Sequence, residues 1–512
     1  MNFRNFFALM LLLTLAVSTT FAATFAKITL SDGSELEGEI LGLDKGIYTI
    51  RQANGRERSL RESDVVKIEI QKDLSGTEAP PASGLRFAGS NTVGEKLLPE
   101  LAAAFVERRG ARRAEWEPGM KENERRLVVG DPAGKRVPTA IAIAAHGSST
   151  AFVALKDGSA DVGMASRRIK DDEITSLAGL GAMKHSRSEH VIALDGLAII
   201  VHPDNRVPAL TVEQIARIFS CAITDWSAVG GKPGPINLYA RDQKSGTFDT
   251  FKSLVLDSNK TILCLEANRF ESSTELSDAV AGDPNGIGFI GLPYVLKARA
   301  LAIKECDLSY KPTAFEIRSE EYPLFRRLYL YTPEQPKSPF VGEFVDFALS
   351  PSGYGVVDKV GFVNLDVKQD VSQSQFLRTP AAVLSAQNLQ ALQQFVQMTR
   401  YATRLSVTFR FEPGEADLDT LAVRDLDRLV SYLKSDEARG RELVLLGFAD
   451  SVGDYRQNRD LSQQRADTVA NELRSRGASV AVVVGLGEEA PVACNETDPG
   501  RTRNRRVEVW LK

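Results

Sequence analysis

At 512 residues the chain is long for one domain, and roughly 100 to 200 residues per domain gives three or so, each able to bury its own core. Its 63 Lys and Arg against 67 Asp and Glu leave a net charge of −4. No global field therefore draws it onto nucleic acid or anionic lipid, which argues against a nucleic-acid partner.

Residues 1–22 read MNFRNFFALMLLLTLAVSTTFA: Arg4, an apolar run from Phe6, then small residues around Ala22. This is the layout of a cleaved secretory signal, and the run is shorter than the roughly 20 apolar residues a spanning helix needs. No Cys lies near the cleavage region to take a lipid, and no later stretch is apolar enough to span. The mature protein is expected to be exported and soluble.

Residues 24–71 alternate apolar and polar positions in short runs broken by SDGS, DKG and ANGR. Period two with Gly turns predicts four or five antiparallel strands, too few for a sandwich and suited to a small SH3-like β-barrel. A docking module and an inert appendage both stay open for it. Residues 72–84, rich in Pro, Ser and Gly, read as a linker.

From 85 to 366, apolar strand-like runs (IAIAA, LDGLAIIVHP, INLYA, GIGFIGL) alternate with helical patterns (VGEKLLPELAAAFVERR, TVEQIARIFS, SPFVGEFVDFALS). That order predicts an α/β domain with a largely parallel sheet, more comfortably two lobes than one. The charged piece from Arg109 to Gly134 resists assignment. Residues 367–403 lose apolar periodicity and read as a linker ending in a helix from about Ala381 to Arg400.

Three stretches of the middle domain share one chemistry. Gly89, Ser90, Asn91 and Thr92 open an amphipathic helix, as do Gly147, Ser148, Ser149 and Thr150; Ser245, Gly246 and Thr247 open a third, with Arg241 just upstream. A helix N-terminus leaves amide donors unsatisfied and carries partial positive charge, so an oxyanion gains several hydrogen bonds there. Simple capping explains any one such stretch. Three together, with an Arg whose fork can meet two oxygens, point to anion binding.

The ordered pieces AGSNTV, GSST, DGSADVGMASRRIKDDE, LDGLAIIVHPDNRVPALTVEQIARIF, ITDWSAVGGKPGPINLYARDQKSGTFDTF, GIGFIGLPYV and YPLFRRLYLYT resemble the PstS-type periplasmic phosphate-binding proteins. The resemblance runs from about Leu85 to Leu365. It implies two α/β lobes joined by crossover strands near Ala193 to Val201 and Leu328 to Tyr331, with the anion in the cleft between them. The candidate anion-binding set is Ser90, Asn91, Thr92, Ser148, Ser149, Arg167, Arg241, Ser245, Gly246 and Thr247. Arg167 stands where many relatives have an Asp that accepts a proton from phosphate; an extra cation there should tighten binding to any oxyanion and blur selectivity. An enzyme using the same anion hole is disfavoured. None of the four His (His146, His185, His190, His202) pairs with a Ser or acid in a recognisable elbow, and GDPAGKR lacks P-loop spacing.

Residues 404–512 alternate strands (RLSVTFRF, ELVLLGFAD, SVAVVVGLGEE, RRVEVWL) with two amphipathic helices, an α/β sandwich. Asp450 leaves a strand, Ser462 is expected to cap the second helix, and Arg465 then lies in its first turn. Either the two charges pair internally, or a zwitterion bridges them, its ammonium on Asp450 and its carboxylate on Arg465. The stretches GFADSVGDYRQNRDLSQQRADTVANEL, GLGEEAPVACNET and GRTRNRRVEVW resemble the OmpA C-terminal, peptidoglycan-associating family. The resemblance implies that Asp450 and Arg465 hold diaminopimelate of the peptidoglycan stem. It also implies that Asn458 orders the intervening loop, with Arg501 and Arg505 as loop support and partial ligand contacts.

Four cysteines, Cys221, Cys264, Cys306 and Cys494, allow three pairings in an oxidising compartment; Cys264 with Cys306 is the pairing favoured here, and four free thiols stay open. No metal or cofactor signature is present. The sequence thus describes a multidomain, non-enzymatic binding protein: an SH3-like β-barrel, a two-lobed periplasmic-binding-protein fold for phosphate or a similar oxyanion, and an OmpA-like sandwich gripping peptidoglycan. Its expected place is the periplasm, with outer-membrane association open, and an ABC transporter or another envelope protein as the protein partner. The alternative is a phosphate sensor or envelope scaffold.

Overall fold

A computed structural model describes residues 24–31, 34–44, 47–52, 57–70, 84–121, 123–130, 137–243, 245–370, 388–414 and 416–512. The signal segment, most of the 72–84 linker, the stretch 371–387 and part of the 381–400 helix lie outside them.

The described residues between 24 and 70 belong to one compact unit. Strands Thr24–Leu30, Glu35–Asp44, Ile47–Gln52, Glu57–Arg61 and Val65–Ile70 pair antiparallel, in the spatial order fourth, third, second, first, fifth. The period-two pattern puts Ile28, Leu30, Leu36, Ile50 and Leu60 on one side as its core.

The second unit runs from Pro81 to the C-terminus. In its first lobe Val162–Ala165, Leu85–Gly89 and Ala140–Ala145 lie parallel, and the hairpin of Glu124–Gly130 and Arg113–Pro118 extends the sheet. This hairpin is the piece that resisted assignment. All six residues of Arg113–Pro118 are exposed, so no apolar face marks it as a strand. In the second lobe Asn268–Phe270, Asn237–Arg241 and Gly286–Gly291 lie parallel.

Two antiparallel strands, Glu189–Val201 and Phe325–Tyr331, join the lobes. Leu197–Val201 pairs with the second-lobe strand Gly286–Gly291, while Tyr329–Tyr331 pairs with Val162–Ala165 of the first. All thirteen residues of Glu189–Val201 are buried.

In the C-terminal domain strands Thr403–Arg410, Arg506–Leu511, Leu443–Phe448 and Val480–Gly485 lie in that spatial order, the last two parallel. Helices Thr420–Tyr432 and Tyr455–Ser475 pack their apolar residues against Leu405, Val407, Leu445 and Val509 of the sheet in one core. Helix Leu389–Thr399 covers the other face with Ala391, Leu392 and Phe395 against Phe448 and Trp510. Val367 belongs to the first of these cores, and Gln369 bridges to Leu405, so the chain is already ordered where the second linker was expected to begin.

The C-terminal domain is docked on the two-lobed domain. Arg318 pairs with Asp425 at 2.6 Å, both side chains almost fully buried, and Arg404 pairs with Glu321. Arg327 reaches Asp419, and Arg503 reaches Glu305. Arg424 donates to His190 Nδ1 at 2.9 Å, which makes Nε2 the protonated nitrogen, 3.0 Å from Thr332 Oγ1. Burial, aided by Arg424, pushes the His190 imidazole down to about 3.

A disulfide between Cys306 and Cys494 crosses the same interface, and a second joins Cys221 to Cys264. The expected Cys264–Cys306 pairing is therefore wrong. Cys264 N–H donates to Phe219 O, which sets its Cα 5.6 Å from that of Cys221 at the end of helix Val212–Phe219.

Candidate functional site

Asn91, Thr92, Arg241, Ser245, Gly246 and Thr247 converge between the lobes around two small cavities of 50 and 80 Å³. At roughly 10–15 Å³ of such volume per water, each holds a few waters or one small ion. Arg241 is buried at the end of its strand. Its Nε donates to Phe270 O at 3.2 Å, one terminal nitrogen to Glu271 O at 2.8 Å and the other to Ser273 Oγ. Three of five N–H donors are so used, and Asp242 lies 3.6 Å from the nitrogen that meets Glu271 O.

Ser245 caps the helix opening at Gly246, its Oγ accepting from Thr247 N–H at 3.2 Å. Gly246 touches the opposite lobe: a Cβ placed there would lie 2.2 Å from Thr92 Oγ1 and 2.6 Å from Thr92 N. Both helix starts run into a π-helical turn, Val93–Leu97 and Lys252–Leu256, a local widening frequent at functional sites.

Sequence reasoning missed Arg326 and Asp195 here. Arg326 leaves the crossover strand and donates to Thr92 Oγ1 of one lobe, to Gly246 O of the other at 2.8 Å, and to Asp195 at 3.2 Å. The available signal was a lone carboxylate inside the apolar run IALDGLAII, because a charge buried there needs a partner. Lys96 was missed as well. It reaches Tyr294 across the cleft, and burial lowers its pKa, Arg241 adding to the effect and Glu95 opposing it.

The other expected residues lie elsewhere. Ser90 is buried in the first lobe, its N–H bonded to Met164 O. Ser148, Ser149 and Arg167 line a larger chamber of 960 Å³, which Arg326 also lines. Ser148 Oγ accepts from Ser166 N–H at 3.0 Å, and Arg167 grips Glu173 with two bonds of 2.6 and 2.8 Å. The extra cation expected at Arg167 is thus largely neutralised.

In the C-terminal domain Asp450, Asn458, Arg465, Arg501 and Arg505 all line one cavity of 630 Å³. The expected start of the second helix is wrong. That helix runs from Tyr455, capped by Asp454 accepting from Arg456 and Gln457 N–H, so Ser462 and Arg465 sit well inside it. Ser462 Oγ instead accepts from Gly487 N–H and donates to Arg459 O.

Asp450 pairs with Arg505 at 2.7 Å, not with Arg465, and its other oxygen accepts from Val452 N–H. Arg465 is fully buried, donates to Glu412 O and lies 5.3 Å over the Phe411 ring. Burial, aided by Arg505 and opposed by Asp450, pushes its guanidinium down to about 10. Asn458 is buried in the first turn, and its Nδ2 has no hydrogen bond among the described residues. Arg501 donates to Asn495 O and Asp498.

Residues 126–352 match the model of a PBP superfamily domain, and residues 410–505 that of the OmpA family. The phosphate-binding protein PstS of Pseudomonas aeruginosa is 33% identical over 246 residues, 44% of this chain and 75% of that protein. The chain belongs to the PstS family. The PstS-like domain is followed by an OmpA-family domain, and both are families of non-enzymatic binding proteins of the cell envelope.

Among solved structures, an ABC-type phosphate transport receptor from Vibrio cholerae is 24% identical, covering 55% of this chain and 99% of its own with a TM-score of 0.42. The peptidoglycan-associated lipoprotein from Burkholderia pseudomallei is 27% identical, covering 20% of this chain and 89% of its own with a TM-score of 0.19. No helix among the described residues is long and apolar enough to cross a membrane.

Proposed function

We propose that the protein is an exported, periplasmic receptor that captures phosphate between its lobes and holds to peptidoglycan through its C-terminal domain. The observation that carries the first half is the convergence of Arg241, Thr92, Gly246 and Thr247 on one ion-sized cavity, with Ser245 and Asn91 on a second beside Arg241. A tetrahedral oxyanion there meets the Arg241 guanidinium, helix amides and hydroxyls. Lys96 adds positive charge across the cleft, while Arg326, paired with Asp195, holds Thr92 and Gly246 in place. The name of the Pseudomonas relative supports phosphate as the ion.

For the second half, Asp450 takes the ammonium and Arg465 the carboxylate of diaminopimelate, with Asn458, Arg501 and Arg505 around them. Their shared cavity and the OmpA-family match support this. The N-terminal sheet is best read as an SH3-like barrel that docks a partner, in keeping with its five antiparallel strands and the 3₁₀ turn Glu62–Asp64 before the last.

The docking of the C-terminal domain favours a sensor over a carrier that shuttles to an ABC transporter. Its contacts fall on both lobes, at Ser186 and Tyr354 of the first and Glu305 and Cys306 of the second, and restrain their hinge.

Titration calorimetry tests the first half: saturable phosphate binding, weakened at least tenfold by Arg241→Ala, in line with a charged hydrogen bond of roughly 1.5–3 kcal/mol. Sedimentation with purified sacculi tests the second. A double Asp450→Ala, Arg465→Ala variant should stay in the supernatant, and pelleting as well as the parent would refute the anchor.

A further inference from the structure

Arg318, Ser319, Glu320 and Glu321 lie just before the crossover strand Phe325–Tyr331, all four buried, and the C-terminal domain takes hold of each. Asp425 pairs with Arg318, and Arg404 with Glu321. Arg410 donates to the carbonyls of Ser319 and Glu320 at 2.7 and 3.1 Å, and Arg503 to that of Glu321 at 3.1 Å. Glu320 has a left-handed backbone, φ 59°, which a residue with a side chain keeps only where its surroundings impose it.

The residues that make this grip have chain neighbours that build the Asp450 cavity. Side chains alternate along an extended chain, so Phe411 follows Leu405, Val407 and Phe409 onto the opposite face from Arg404 and Arg410. Its ring lies under Arg465, its carbonyl accepts from Arg505 Nε at 3.1 Å, and the next carbonyl, of Glu412, accepts from Arg465 at 3.1 Å. Thr502, beside Arg503 in the chain, accepts from Arg505 at 2.7 Å through its hydroxyl. Glu412 and Thr502 also line both the 960 Å³ chamber and the 630 Å³ cavity, so the two spaces share a wall.

The same alternation acts on the crossover strand. Arg326 reaches Thr92 of the first lobe and Gly246 of the second, which only lobes lying against each other offer it together. Arg327 turns the other way, grips both carboxylate oxygens of Glu320, and pairs with Asp419 of the C-terminal domain. A shift of that domain therefore pulls on Arg327 and on Arg326 beside it. A parting of the lobes pulls on the same strand from its other face. The Cys306–Cys494 disulfide ties the C-terminal domain to the second lobe, whereas Arg424 and Arg428 hold the first by hydrogen bonds to Ser186 O and Tyr354 Oη. Opening of the lobes breaks the hydrogen-bonded set and leaves the covalent one.

We propose that the interlobe anion site and the Asp450–Arg465 pocket are linked through Arg327 and Arg410, each site raising the other's affinity when filled. The inference rests on the phosphate and diaminopimelate readings above and adds the regulation between them. Apposed lobes, a docked C-terminal domain and a formed pocket share one set of contacts, so a ligand that favours one favours the others, and linkage makes the factor equal in both directions. The protein then holds phosphate most tightly while it is attached to the wall.

The probes are inorganic phosphate and meso-diaminopimelate, titrated calorimetrically into the full-length protein, each alone and each with the other saturating. Both affinities are expected to rise by the same factor, at least about fivefold, the lower end of typical coupling between sites. Asp419→Asn keeps a side-chain oxygen to cap helix Thr420–Tyr432, where Asp419 accepts from Ala422 N–H at 2.8 Å, and removes the charge that holds Arg327. It should bring the factor below twofold while each ligand still binds alone. Two ligands that bind independently in the parent, or that weaken each other, overturn the proposal, as does parental linkage in Asp419→Asn. Failure of one ligand to bind even alone refutes the reading of that site and the linkage with it, a result distinct from two ligands binding without linkage.

Discussion

Gly246→Ala tests the closeness of the two lobes with a single methyl group. The new Cβ would lie 2.2 Å from Thr92 Oγ1 and 2.6 Å from the Thr92 nitrogen, the latter being backbone that cannot swing aside. Carbon contacts settle near roughly 3.5 Å, so the lobes must part by about 1 Å. Overpacking of this kind costs about 1–3 kcal/mol. Because the strain acts only on the closed arrangement, it should appear as a roughly 5- to 150-fold loss of phosphate affinity. Each lobe keeps its own core and its own fold. Titration calorimetry gives the affinity, and circular dichroism checks the fold. Parental affinity in a well-folded Gly246→Ala protein would refute the contact across the cleft, and with it the placement of Thr92 and Gly246 in one site.

Arg318→Met strands the buried Asp425 and should destabilise the protein by about 3–5 kcal/mol, toward the lower end because Arg428 also holds Asp425 at 2.6 Å; urea unfolding measures it, and a loss below 1 kcal/mol contradicts the interface. The Cys306→Ser, Cys494→Ser variant opens a loop of 188 residues and should lose about 2–5 kcal/mol in the same assay. His190 has a folded pKa of about 3, below its ordinary 6.5, so its contribution to stability is present above 6.5 and drains away as pH falls toward 3. The slope is at most about 1.4 kcal/mol per pH unit, and the difference between the parent and His190→Gln isolates it; equal slopes for the two would contradict the burial of a neutral imidazole. Arg167→Ala should change phosphate affinity by less than threefold, since Glu173 already neutralises the guanidinium.

The lobes and the C-terminal sandwich were legible because their strands are continuous apolar runs and their helices have one apolar face. Asp450, Asn458, Arg465, Arg501 and Arg505 of the C-terminal domain do share one cavity, although the helix that carries two of them was not legible. DYRQNRD carries no apolar periodicity and reads as loop, yet Asp454 caps it and Asn458 is drawn inside. The interlobe site was legible where it rests on helix starts. It was hidden where it rests on Arg326, whose neighbours in sequence say nothing about a carboxylate 131 positions away.

The domain interface was the least readable feature. In TRLSVTFR, Leu405, Val407 and Phe409 turn to their own core, while Arg404 and Arg410 take polar positions that suggest solvent. Both are buried against the two-lobed domain, Arg404 on Glu321 and Arg410 on the carbonyls of Ser319 and Glu320. A polar strand face is the same in sequence whether it meets water or a partner domain with matching charges.

The central claim is that a tetrahedral anion is held between the lobes by Arg241 and the helix starts around it. A crystal structure of the protein grown with saturating phosphate tests it most directly. The account predicts tetrahedral density within hydrogen-bond distance of Arg241, Thr92 and Thr247. A cleft empty at saturation, or density away from Arg241, would contradict it.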